Sequence, residues 1–392
     1  MIKRESYMEQ IRPFIGKDIV KVITGLRRSG KSVLLDLLRA EIGDEKHSIY
    51  LNFESRKNAQ YKSADALYDF ILQQVGDSRE KWTLFFDEIQ EVEKWEEAIN
   101  SFRVDFDADI YITGSNAKLL SGELATLLAG RYVQFVLYPL SYKEFIELNK
   151  GKNFSDYLRL GGMPFISNII ADEQAVSLYL EDVYNSVVLK DVVKRHNIRD
   201  VDLLERIIGY VLANISQTFS ATSIAKYFKS EQRNVSPDTV LNYLKACEEA
   251  YLFYKIRRQD IRGKKMLAVA EKYFVADHGL REAVYGRHME DIGQVLENIV
   301  CLELLRRGYT VTVGSLEKEE IDFIARKNNE PIYIQVAYLM PDKATQAREF
   351  GNLLKIEDNY PKYVVTMDEI DMSQNGIRHW NIKDFLLDDW RF

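Results

Sequence analysis

At 392 residues, with 46% hydrophobic and 29% charged side chains and 7 prolines, the chain falls outside the disordered and collagen-like classes and is long enough for two or three domains. Its net charge of −7 excludes a uniformly basic surface, so nucleic-acid binding would need a local patch. No run of about 18 apolar residues occurs and no apolar stretch follows the first charges, so neither membrane span nor signal peptide is expected and the cytoplasm is the expected compartment.

From Asp18 to about Phe135, short apolar runs alternate with longer periodic ones, the pattern of helices over a mostly parallel sheet. Strands are expected at 18–24, 49–53, 83–87, 108–113 and 132–137. The first runs into Gly25-Leu-Arg-Arg-Ser-Gly30-Lys31-Ser32, and Leu34, Leu35, Leu38 and Ile42 then recur at helical spacing. A glycine turn between a strand and an amphipathic helix is a phosphate cradle, because backbone N–H groups and the helix N-terminus converge on the anion. Gly25, Arg28, Ser29, Gly30, Lys31, Ser32 and Val33 are the expected ATP contacts, with Lys31 on the β- and γ-phosphates and Ser32 on Mg²⁺. Arg27 and Arg28 either meet phosphate or face solvent.

The third strand, Thr83-Leu-Phe-Phe-Asp87-Glu88, ends in paired carboxylates. Packing does not explain them, since an unpaired buried charge is costly. Asp87 is the expected Mg²⁺-side carboxylate, and Glu88 the base that polarises the attacking water; the plainer alternative for Glu88 is a strand end at a solvated loop. The fourth strand leads into Gly114-Ser115-Asn116, where Asn116, slightly ahead of Ser115, either hydrogen-bonds the attacking water or γ-phosphate or belongs to an ordinary turn. Ala129-Gly130-Arg131 precedes the fifth strand, and Arg131 is a candidate arginine finger for a neighbouring subunit or a plain surface arginine.

After Pro139-Leu140-Ser141 the strand signal disappears until about residue 251. Cys247 and Cys301 lie in apolar helical patterns and suit buried thiols, and five scattered histidines speak against a metal cluster. Residues 203–260 read as helix, helix (Ala221 to Lys229), helix (Pro237 to Ala250, with Ser236 as N-cap) and a strand-like Tyr251-Leu-Phe-Tyr-Lys-Ile, which is winged-helix order. Arg257, Arg258, Arg262, Lys264 and Lys265 then form the wing. As duplex-DNA contacts they predict a salt slope of roughly −4.5, at about 0.9 per phosphate; a solvated hairpin or a protein-docking surface reads as well. The last hundred residues combine a helix at 291–307 with strand-like runs at 309–313, 320–325 and 331–338.

Gly-Leu-Arg-Arg-Ser-Gly-Lys-Ser, Phe-Phe-Asp-Glu-Ile-Gln, Thr-Gly-Ser-Asn-Ala-Lys-Leu-Leu and Gly-Arg…Pro-Leu-Ser-Tyr-Lys-Glu-Phe together resemble the archaeal and bacterial AAA-like ATPase family with an uncharacterised C-terminal domain, almost end to end. Gly161-Gly-Met-Pro164, Ser236-Pro-Asp-Thr239, Tyr273-Phe-Val-Ala-Asp-His-Gly-Leu280 and Leu296-Glu297-Asn298 are later matches. The resemblance implies an α/β P-loop core with a parallel sheet (1–145), a helical lid (146–200), a winged-helix domain (201–284) and a C-terminal α/β region similar to the restriction-endonuclease fold (285–392). It also implies ATP binding with some hydrolysis. In endonuclease-like folds an Asp and a Glu or Gln hold a divalent metal, which here points to Glu297, Asp322 and Gln335. A lysine two residues further polarises water, and Ala337 stands in that place; Lys318 and Lys343 are possible substitutes. The expected function is a Mg²⁺-dependent ATPase, in a homo-oligomer and acting on duplex DNA, whose nucleotide state switches the lid and C-terminal domains. The alternatives are a slow nucleotide-gated signalling module with a protein client and an ATP-gated metal-dependent nuclease, which Ala337 weakens. The sequence offers no account of Gly161-Gly162 or of the charges from Lys190 to Arg199.

Overall fold

Each short apolar run of the first half becomes a strand of one sheet in the computed structural model. β1 (Val20–Thr24), β2 (Ser48–Asn52), β3 (Trp82–Asp87), β4 (Ala108–Gly114) and β5 (Tyr132–Val136) lie in the order β2-β3-β4-β1-β5, and every neighbouring pair is parallel. These limits fall within two residues of those expected. The structure describes residues 2–388 except 77, 79, 118–127, 129, 264, 268–270 and 317–318. It forms two units, Met1–Tyr138 with Glu249–Tyr251, and Pro139–Glu248 with Leu252–Phe392.

In the first unit, α1 (Glu5–Ile11) precedes β1, and α2 (Lys31–Ile42), α3 (Ala64–Val75) and α4 (Trp95–Asp105) separate the strands. The period-2 alternation of β1, β3 and β4 turns Val20, Val22, Leu84, Phe86, Ile110 and Ile112 to one face, where Leu67 and Ile71 of α3 and Ile99 and Phe102 of α4 complete a single core. Each such side chain stabilises the fold by about 1.5–3 kcal/mol. Leu34, Leu35 and Leu38 are the buried stripe of α2, as their spacing predicts. Parallel pairing sets the C-terminal ends of the strands on one edge: Thr24 stands beside Gly114, and Asn52 beside Asp87.

The second unit begins with α5 (Tyr142–Leu148), α6 (Phe154–Leu160) and α7 (Glu173–Ser186), which continues as a π-helical stretch, Val187–Lys194. Within that stretch Asp191 is buried and Arg195 Nη2 lies 3.3 Å from it, which accounts for part of the charge run there. Next come α8 (Val201–Ala213), β6 (Thr218–Phe219), α9 (Ala221–Ser230), α10 (Pro237–Glu249), β7 (Phe253–Ile256), β8 (Arg258–Asp260), β9 (Glu271–Val275) and α11 (His278–Tyr285). Ser236 Oγ accepts from Thr239 N at 3.1 Å, the N-cap its sequence announces. β6, β9 and β7 form an antiparallel sheet in that order.

α12 (Ile292–Arg306), β10 (Thr310–Leu316), β11 (Glu319–Lys327), β12 (Glu330–Val336), α13 (Lys343–Leu354), β13 (Lys362–Thr366), β14 (Arg378–Asn381) and α14 (Ile382–Leu387) complete the unit. The six-stranded sheet runs β14-β13-β12-β11-β10-β8. The stretch from Tyr251 differs from its sequence reading in two ways. Tyr251 takes a left-handed backbone, φ 57°, so β7 starts two residues later. Arg258–Asp260 pairs in parallel with β10 as the edge of the large sheet, because Val313, Gly314 and Ser315 offer a ladder that no local pattern announces.

Gly161 and Gly162 also acquire a reason. A Cβ on Gly161 would stand 2.3 Å from Asp277 Oδ1, and one on Gly162 2.3 Å from the Leu140 carbonyl oxygen. The bare backbone instead lets Gly162 N donate to Asp277 Oδ2 at 2.6 Å while its carbonyl accepts from Leu140 N at 2.7 Å. Asp277, fully buried as the N-cap of α11, has its carboxyl pushed up by burial, against the pull of His278 and of the backbone N–H groups it accepts from.

Candidate nucleotide site

β1 delivers the chain into the glycine loop, where Gly25, Arg28 and Gly30 take φ of 146°, 68° and 102° and α2 starts at Lys31. Gly25 is obligatory, because a Cβ there would stand 2.3 Å from the Leu137 carbonyl oxygen. The loop therefore ends on the unsatisfied N–H groups of a helix N-terminus. Ser29 is buried and its Oγ has no hydrogen-bond partner among the described residues, which suits a loop built around an anion. From α1's N-cap, buried Arg4 donates through Nη2 to the Tyr138 carbonyl at 2.7 Å and through Nη1 to the Ser29 carbonyl at 3.5 Å, tying the loop to the N-terminal segment.

Lys31 is 4% exposed, which decides that its ammonium stays in the site. Its Nζ donates to the carbonyls of Gly25 and Leu26, both at 3.3 Å, and stands 3.5 Å from Glu88 Oε1. Asp87, at the end of β3, accepts three hydrogen bonds: Thr113 Oγ1 at 2.5 Å, Asn52 Nδ2 at 2.8 Å and the Tyr50 hydroxyl at 3.1 Å. Burial and the Asp87 charge push the Tyr50 phenol up to about 12. Glu88 takes φ 54°, its N–H donates to Thr113 Oγ1 at 2.9 Å, and Gln90 Nε2 donates to its Oε2. Burial alone would raise the Glu88 carboxyl, but Lys31, Gln90 and Arg27 together hold it below the usual carboxylate range.

The structure thus brings Gly25, Ser29, Gly30, Lys31, Asp87 and Glu88 to one edge of the sheet. Ser115 and Asn116 are buried directly after β4. Ser32 is half-buried, while Arg28 and Val33 are exposed beside the loop. Arg131 is exposed and lies elsewhere: its carbonyl accepts from Val20 N at the opposite end of β1. Asp87 and Ser32 offer hard oxygen donors of the kind Mg²⁺ takes alongside phosphate oxygens and water, so the residues present fit that ion.

Of the five cations expected in a wing, Arg257, Arg262 and Lys265 are exposed, Arg258 is half-buried with Nη2 donating to Ser315 Oγ at 3.3 Å, and Lys264 lies outside the described residues. Glu297 and Asp322 converge inside the second unit on a residue the sequence reading did not single out, Lys272, and Gln335 accepts from the Asp322 backbone N–H. Tyr50, Asn52, Gln90, Thr113 and Arg4 were also not anticipated at the nucleotide site. Thr113 was within reach, as part of the Thr-Gly-Ser-Asn match; Tyr50 and Asn52 depend on β2 lying next to β3, which no motif states.

A family model described as an AAA domain matches residues 17–146, and a model described as a domain of unknown function matches residues 151–291. An uncharacterized protein of Haemophilus influenzae is 42% identical over 400 residues, covering 99% of both chains. The uncharacterized protein MJ1544 of Methanocaldococcus jannaschii is 29% identical over 327 residues, 79% of this chain and 70% of its own. Among solved structures, AMPPCP-bound DnaA from Aquifex aeolicus is similar at 13% identity and a TM-score of 0.33, over 63% of this chain and 87% of that one.

Proposed function

We propose a nucleotide-operated function on one premise: the chain belongs to the family of its full-length Haemophilus influenzae relative, an AAA-like family with a P-loop ATPase core. In this reading it binds ATP with Mg²⁺ and hydrolyses it. The observation that carries the proposal is the convergence of Lys31, Asp87, Glu88 and Thr113 where the glycine loop meets α2. Gly25 to Gly30 and the start of α2 hold the phosphates, and Lys31 leaves Glu88 for the β- and γ-oxygens. Ser32 and Asp87 hold Mg²⁺, which neutralises charge on the phosphates when bound.

Glu88, released by Lys31 and still accepting from Gln90 Nε2, then takes the proton of the attacking water. Asn116, with Ser115 beside it, positions that water or the γ-phosphate, and Arg131 serves the site of a neighbouring copy in a homo-oligomer. Hydrolysis resets the parts that follow the core, in the proposed division 146–200, 201–284 and 285–392.

Steady-state ATP hydrolysis with Mg²⁺ tests this. Lys31→Ala is expected to weaken ATP binding by about 10- to 100-fold, as removal of a charged hydrogen-bonding partner does. Glu88→Gln is expected to keep binding and lower turnover by about 10²–10⁴-fold. Unchanged affinity in Lys31→Ala would displace the phosphate site; negligible turnover in the wild type with tight binding would favour the nucleotide-gated module with a protein client.

A second reading concerns duplex DNA. The order helix, strand, helix, helix, strand, strand, strand over 201–275, in which β6, β9 and β7 form an antiparallel sheet, supports the winged-helix segment, and exposed Arg257, Arg262 and Lys265 supply positive charge beside it. Stimulation of turnover by duplex DNA would mark it as the effector.

A further inference from the structure

Lys272, on β9, sends its ammonium into three carboxylates of the second unit. Nζ lies 2.7 Å from Glu320 Oε1, 3.1 Å from Glu297 Oε2 and 3.5 Å from Asp322 Oδ1. An ammonium carries three N–H donors and no acceptor, so these neighbours account for its whole capacity. Its side chain is 3% exposed, so the ammonium sits out of bulk water. Asp322 Oδ2 accepts from Val336 N at 2.8 Å, and Gln335 Oε1 accepts from Asp322 N at 3.4 Å.

Glu297, Asp322 and Gln335 are the residues that an endonuclease-like reading of the sequence would assign to a divalent metal. The donor set does not fit one. The space between the carboxylates is held by a fixed positive charge, the Gln335 oxygen is taken up by a backbone N–H, and among the described residues no group of three acidic, histidine or cysteine side chains is arranged to hold a metal ion. Magnesium demands ligands at about 2.0–2.1 Å in near-octahedral array, and it would have to displace the ammonium to get them. Nor does Lys272 replace the lysine missing at Ala337, because its three N–H groups are spent on the carboxylates and none is left for water or a phosphate.

We propose that Lys272 is a built-in counter-cation that stands in the place of a divalent metal among Glu297, Glu320 and Asp322, and that the C-terminal region is therefore a metal-free scaffold with no nuclease activity. The electrostatics agree. Burial would lower the Lys272 ammonium, but Glu297, Asp322 and Glu320 outweigh it and hold the charge in place. Burial pushes Asp322 up to about 6 and also raises Glu297, its neighbour Asp322 adding to the effect. Lys343, exposed at the start of α13, is not drawn in, and Lys318 lies outside the described residues.

The experiment is a Mn²⁺ titration of the full-length, nucleotide-free chain followed by electron paramagnetic resonance, with dependence on Asp322 as the criterion. The wild type is expected to show no Mn²⁺ site that Asp322→Asn removes. Lys272→Ala is expected to gain one, and the pair Lys272→Ala with Asp322→Asn to lose it again. Lys272→Met keeps the aliphatic stem and serves if the alanine variant does not fold. An Asp322-dependent Mn²⁺ site in the wild type, Mn²⁺-dependent DNA cleavage that Asp322→Asn abolishes, or folded Lys272 variants that gain no site would each overturn the proposal. None of these readouts depends on ATP turnover, so the result stands apart from the nucleotide reading.

Discussion

Thr113 Oγ1 donates to Asp87 Oδ1 and accepts from the Glu88 backbone N–H, so one hydroxyl orients both carboxylates of the proposed ATPase site. Thr113→Val keeps the shape and removes both bonds, leaving a buried N–H and a buried carboxylate oxygen each short of a partner. The expected cost is about 1–3 kcal/mol of stability, read by urea denaturation, together with a fall in turnover; Thr113→Ser is expected to restore most of both. At this scale Lys31, Asp87 and Glu88 were legible because a glycine loop and a carboxylate-ended strand are contiguous patterns. Asn52 and Tyr50 were not, since what brings them to Asp87 is the ladder that pairs Asn52 with it. Lys272 was hidden for the same reason: it reaches Glu297, Glu320 and Asp322 across 25 to 50 residues of chain.

Among the elements, the glycines separate close approach from freedom. Gly162→Ala would drive a methyl into the Leu140 carbonyl, and overpacking of that kind costs typically about 1–3 kcal/mol. Gly209, inside α8, has open space where a Cβ would stand, with nothing within 4 Å, so Gly209→Ala is expected to stabilise by about 0.5–1 kcal/mol through helix propensity. Urea midpoints that move in opposite directions would confirm the contrast; equal shifts would refute it. The parallel strands were legible here from apolar runs bounded by turns, and α12 from its long periodic pattern. β8 was not, because Arg258–Asp260 is a strand only by virtue of β10, more than fifty residues away, and a charged tripeptide carries no strand signal of its own.

For the molecule as a whole, the role proposed for Arg131 as a finger would set how many chains a turnover requires. β5 runs parallel to β1 with Tyr132 beside Val20, so Arg131 sits at the entry to β1 while the phosphate loop leaves its far end. β1 is five residues long, so its first and last Cα atoms, four steps apart, stand about 13 Å from each other. An exposed arginine so placed has no part in its own chain's phosphate site, and as a finger it would act only on another's. Arg131→Ala is then expected to lose turnover while still binding ATP. Mixed with Glu88→Gln, which keeps Arg131, it is expected to recover activity that neither has alone; a mixture as inactive as its components would remove Arg131 from the mechanism. The consequence is one of dose. A chain whose hydrolysis needs a second copy turns over ATP at a rate that climbs with its own abundance, so a cell holding few copies would hold them loaded and idle, and expression level itself would set the switch.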